Sequence, residues 1–199
     1  MRGYTHMLAG LTVSGGYFLV TKQPVQPGIL AMAAVGSLLP DIDHEYSTIS
    51  QEGVQVGGIK IKPLKPIAML INKTFGHRTI THCFLGFAIL ALISSPLLFF
   101  DPMWWVAFCF FGIASHYITD AMTKSGLMLF YPFKKDSYHL LPKFMRITTG
   151  GAGEAVVIGV LLLLLFLFCY GAFSTHGVHL DKGAQIIANY FKTKIKIRR

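Results

Sequence analysis

The sequence predicts an all-α membrane protein, about five transmembrane or re-entrant helices in one bundle, with a small polar excursion over one end. Three observations predict it. Hydrophobic residues make up 53% of the chain and charged residues 14%, a balance that suits a bilayer better than water. Five apolar runs, at residues 3–20, 28–39, 83–100, 103–122 and 155–173, are separated by turns rich in Pro, Gly and charge. The formal charge of +9 comes from Lys and Arg that flank these runs and fill the tail, where they meet anionic lipid headgroups. No base-reading aromatic platform accompanies that charge, so no specific nucleic-acid binding is expected.

The first run carries His6 in its first turn among several glycines, which fits a helix inside a bundle better than one facing lipid. No cleavage site follows it convincingly, and a removable signal peptide is not expected. Two prolines lead into the second run, which is short for a full crossing and ends at Pro40. Residues 46–76 form the polar excursion. Within it, Val54 to Ile61 alternates around Gly57-Gly58 as a small hairpin, and residues 66–75 have the spacing of an amphipathic helix at headgroup level. The fourth run holds His116 and Asp120, four residues apart and therefore on one helical face. The fifth opens on Glu154, and residues 176–199 form a basic tail after a membrane-embedded domain of 1–175. Cys83, Cys109 and Cys169 all lie in apolar segments, which reads as buried thiols rather than disulfides or thiolate ligands.

If the runs alternate in direction, their polar clusters share one membrane side. His6 starts the first run, Asp41, Asp43 and His44 follow the second, His77, Arg78 and His82 precede the third, and Glu154 starts the fifth. His116 and Asp120 lie toward the end of the fourth. His77 and His82 would point roughly 140° apart on one helix, so they converge only if His77 lies in a loop. Imidazoles and carboxylates without thiolates form the ligand set of zinc, or of manganese or iron, in one or two ions. Each cluster also has a plainer reading as a cap, a headgroup contact or a hydrogen-bonded pair. Eleven of the 18 Lys and Arg fall on that same side (Arg2, Lys60, Lys62, Lys65, Lys73, Arg78, Lys124, Lys134, Lys135, Lys143, Arg146), which points to a cytoplasmic site.

The succession Thr5-His6, Leu39-Pro40-Asp41-Ile42-Asp43-His44, Gly76-His77-Arg78-Thr79-Ile80-Thr81-His82 and Ser115-His116-Tyr117-Ile118-Thr119-Asp120, closing on Leu129-Phe130-Tyr131-Pro132, resembles the YdjM-type family over about the first 155 residues. Its members are described as LexA-regulated, metal-dependent hydrolases of the bacterial inner membrane. The family is distantly similar to zinc-dependent phospholipase C and single-strand nucleases. The resemblance implies a multi-pass inner-membrane hydrolase with a lipid or lipid-linked substrate. The expected ligands are His6, Asp41, His44, His82, His116 and Asp120, with Asp43, His77, Arg78 and Glu154 as candidates for the chemistry. The rival is a metal-binding transporter or structural membrane protein built from the same residues.

Overall fold

The computed structural model describes residues 1–56, 59–179, 181, 184–187 and 189. Gly57-Gly58 at the expected hairpin turn and the basic run 192–199 lie outside them.

Helix α1 (Gly3–Thr21) is the central element, packed against α2, α7 and α8. Apart from Phe18, its buried positions are small or polar, Thr5, His6, Ala9, Gly10, Thr12, Ser14 and Gly15, which lets neighbours approach closely. It ends where Lys22 takes a left-handed conformation, φ 56°. Helix α2 (Pro27–Leu38) starts with proline, whose missing N–H has no partner to lose there. It tightens into a 3₁₀ turn, Leu39–Asp43, where Pro40 cannot continue the ladder. The excursion follows as α3 (Thr48–Gln51), the strands β1 (Val54–Val56) and β2 (Ile59–Ile61), and the amphipathic helix α4 (Leu64–Phe75). The strands pair antiparallel with Val54 opposite Ile61, as their alternation predicts. Asn72 on α4 donates to the Asp43 carbonyl at 2.9 Å and so pins the excursion onto the 3₁₀ turn.

The third apolar run is not one helix. Helix α5 (Phe84–Ile93) stops at Ser94, and Pro96 turns the chain through a 3₁₀ segment, Ser95–Phe99. The fourth run is continuous but uneven: α6 (Pro102–Val106), capped by Asp101, widens into a π-helical segment at Ala107–Ile113 before α7 (Ala114–Ala121). Helix α8 (Ala152–His176) closes the bundle.

Two glycines set the spacing at the centre. A Cβ on Gly36 would lie 2.2 Å from the Phe108 carbonyl oxygen, and one on Gly112 would lie 2.7 Å from Gly36. Glycine at both positions therefore lets α2 and the π-helical segment touch through their backbones. At the far end, the buried Asp181 carboxylate accepts from Gly28 N, Trp104 Nε1 and Ala184 N, tying the chain after α8 onto α2 and α6.

Of the five apolar runs, one forms a helix of crossing length and apolarity among the described residues, α8. Its 25 residues rise about 37 Å against a hydrocarbon core of about 30 Å. Helix α1 is too polar, and α2 and α5 are 12 and 10 residues long. Five full crossings therefore do not follow from the five runs: proline, polar side chains and the π-helical segment divide what composition alone makes look uniform.

Candidate metal centre

Four separate pieces of chain meet where α7 ends. The hub is Asp120, whose carboxylate is fully buried. Its Oδ1 accepts from the Met1 amino group and from Arg78 Nη2 at 3.0 Å, and lies 3.5 Å from His6 Nε2. Its Oδ2 lies 3.6 Å from His82 Nε2 and 3.7 Å from His116 Nε2, with no hydrogen-bond partner among the described residues. Asp41 Oδ1 faces the same two nitrogens at 3.6 and 3.8 Å.

The three buried imidazoles are held alike. His116 Nδ1 donates to the Ser37 carbonyl at 2.7 Å, a contact made possible by the close glycine approach of α2 to the π-helical segment. The Thr119 hydroxyl donates to the Ser115 and His116 carbonyls, so it accepts from His6 Nδ1 at 2.7 Å. The Thr81 hydroxyl donates to Asp43 Oδ2 at 2.7 Å and accepts from His82 Nδ1 at 2.8 Å. Each ring thus spends its Nδ1 proton on a fixed partner and turns Nε2 inward, the posture of a metal-ligating histidine.

Those inward nitrogens lack donors. His82 Nε2 and His116 Nε2 are 3.1 Å apart, and His6 Nε2 faces the Met1 carbonyl at 3.1 Å. Lone pairs so placed repel unless a proton or a cation lies between them. Two imidazole nitrogens on one tetrahedral zinc would sit about 3.3 Å apart, so the spacing fits a metal as well as a proton. Burial opposes a charged His82, yet Asp41 and Asp43 overcome it and raise its pKa to about 9. Asp41 and Asp43 are themselves held well below the usual carboxylate range, against burial, by the surrounding imidazoles. The donor set fits a divalent cation in three overlapping groups: His6, Asp41 and His116; His82, His116 and Asp120; and Asp41, Asp43 and His77.

The remaining predicted residues fall beside this centre. His77 lies in a loop, as convergence requires, and its Nδ1 bonds Asp43 Oδ1 at 2.8 Å. Asp43 Oδ2 also accepts from Arg78 N at 2.8 Å, holding Arg78 at φ 61°, a left-handed conformation that is strained for a side chain of this size. Arg78 then reaches Ser125 as well as Asp120. His44 joins none of the three groups; its Nδ1 accepts from Tyr46 N, and its ring lies 4.8 Å from that of His77. Glu154 is also apart, accepting from Arg2 N, Thr5 Oγ1 and Gly150 N, so it anchors the start of the chain rather than the cation groups. Sequence reasoning passed over Thr81, Thr119 and Ser37, which orient the rings. Thr81 had a signal, a hydroxyl next to the His82 it orients, whereas Thr119 acts on His6 from across the fold. Ser37 had none, because it acts through its carbonyl.

A cleft of about 400 Å³ opens onto Asp41, His77 and Arg78, with Arg2, Tyr4, Tyr46 and Ser47 on its walls.

The chain is similar to known proteins along most of its length. It is 30% identical over 178 residues to the "Uncharacterized protein YvsG" of Bacillus subtilis, covering 89% of this chain and 98% of that one. It is 35% identical over 107 residues to the "Inner membrane protein YdjM" of Escherichia coli, and equally to that of Shigella flexneri; this match spans 52% of the chain and about half the length of those relatives. No solved structure matches. The matched region runs past the motifs to residue 178, taking in α8, and over residues 1–178 the chain belongs to the YdjM inner membrane protein family.

Proposed function

We propose that this inner-membrane protein is a metal-dependent hydrolase that cleaves a phosphoester or other ester bond of a lipid or lipid-linked substrate. The observation that carries the reading is the convergence of three Nδ1-anchored imidazoles on a buried carboxylate oxygen that lacks a partner among the described residues. His6, Asp41, His82, His116 and Asp120 would hold the cation, zinc first on this donor set and manganese or iron as alternatives, in one or two ions. Such a cation supplies Lewis acidity, lowering the pKa of water toward neutrality and neutralising oxygen charge on the substrate.

The chain's own residues supply the rest. His77 is 34% exposed on the cleft and is oriented by Asp43 through Nδ1, which leaves Nε2 as the acceptor for a proton from the attacking water. As the new bond to phosphorus or carbonyl carbon forms and the ester bond breaks, that proton passes to the departing oxygen. Arg78 and Arg2 face the cleft with positive charge suited to a phosphate. The apolar outer surface, on which Leu92, Ile93 and Phe99 are exposed, favours a substrate that arrives through the bilayer. A transporter would place its ligands near the membrane midplane, whereas these lie at the end of α7 beside an open cleft.

Elemental analysis of the detergent-purified protein tests the reading. We expect stoichiometric zinc, manganese or iron, most of it lost in a His116→Ala, Asp120→Asn double variant. The loaded protein should hydrolyse at least one member of a panel of phospholipids, polyprenyl phosphates and oligonucleotides. Full occupancy in the double variant would remove the ligand assignment, and a loaded protein inert across the panel would leave a binding or transport role.

A further inference from the structure

The loop between α7 and α8 displays two aromatic rings that no other described part of the fold covers. Phe133 is 90% exposed and Phe144 is 87% exposed. They are held in place by their surroundings: Leu127 and Tyr138 exchange backbone hydrogen bonds, Leu140 N donates to Ala121 O, and Ile147 bonds both Lys124 and Met122. Two tips, one around residues 130–136 and one around 143–146, are therefore presented by a fixed base. Lys134 and Lys135 adjoin the first ring, and Lys143 and Arg146 flank the second, with Asp136 the one acid between them. Helix α8 begins six residues beyond Arg146.

We infer that these tips are an interfacial anchor, Phe133 and Phe144 entering the anionic leaflet of the membrane that α8 crosses, with the four cations among its phosphates. The occupant follows from two observations. Exposed aromatics amid basic residues match the boundary where rings sit at headgroup depth and cations meet anionic lipid. The same segment runs directly into the crossing helix, so the bilayer surface lies at its level. The anchor rests on α8 spanning the membrane and not on the hydrolase reading. Because the loop packs on the last turn of α7, it fixes the Asp120 end of the bundle at headgroup depth.

The test uses the full chain in vesicles, with Phe133→Trp and Phe144→Trp compared against the parent, whose Trp104 and Trp105 supply the background. In vesicles containing phosphatidylglycerol, each new indole should emit toward the blue, be quenched by lipids brominated near the headgroup end of the acyl chain, and resist iodide. Replacing Lys134, Lys135, Lys143 and Arg146 by Gln should reverse these changes, as should vesicles of phosphatidylcholine alone. Leu162→Trp, exposed in mid-α8, should be quenched by deeply brominated lipid in every case. Iodide quenching of the indoles introduced by Phe133→Trp and Phe144→Trp, with that of Leu162→Trp buried in lipid, would overturn the anchor while keeping the span. Shielding of the two loop indoles from both quenchers would also overturn it, assigning the tips to a protein partner or a second copy.

Discussion

At the residue scale the centre depends on groups that hold the rings as much as on the rings themselves. Thr119 bonds His6 Nδ1 and is itself fixed by two helix carbonyls. Thr119→Val should leave the helix intact and lower metal affinity by roughly 10- to 100-fold, the usual effect of losing a partner that orients a ligand. Thr119→Ser should restore most of it, and competition with a fluorescent chelator measures both. On the proposed hydrolysis, Arg78 is the position expected to separate binding from turnover. It bonds Asp120 without belonging to any of the cation groups, so Arg78→Ala should keep metal and lose turnover by about 10- to 1,000-fold if it stabilises developing oxygen charge. Hydrolysis at the parental rate would make it a structural clamp on Asp120.

At the element scale the decisive contact is between α2 and the π-helical segment. The atom that a Gly36 side chain would strike belongs to the backbone of Phe108, which cannot rotate away. Gly36→Val should destabilise the protein by roughly 1–3 kcal/mol and pull the Ser37 carbonyl from His116, so melting temperature and metal content fall together. Gly159→Ala, in open space on α8, provides the contrast and should stay within about 0.5 kcal/mol of the parent. A fall of the same size at both positions would mean that the close approach has no special weight.

At the scale of the whole molecule, loop charge predicts a centre that faces the cytoplasm. Lys124, Lys134, Lys135, Lys143 and Arg146 lie between α7 and α8 on the same side as the metal groups, and positive loops are retained on the cytoplasmic side. Ser137, exposed in that loop, reports the outcome once changed to Cys: a membrane-impermeant maleimide should fail to label it in intact cells and succeed in inverted vesicles. Labelling from the periplasm would place the centre, and its substrate, on the outer face.

The sequence by itself determined the helical class, the apolar character and the residues able to bind a cation, because these follow from composition and from ligand chemistry. His116 and Asp120 were legible as a pair, since residues four apart always share a helical face. Only the tertiary structure decided the rest. It divided the third run at Ser94-Pro96, widened the fourth into a π-helical segment and left α8 as the one helix of crossing length and apolarity among the described residues. It also set Glu154 on the start of the chain and Asp43 on His77, Arg78 and Thr81. The reason is physical: identity tells which group can bind a cation, but its neighbours across the fold decide whether its lone pairs are spent on the protein or left for a ligand.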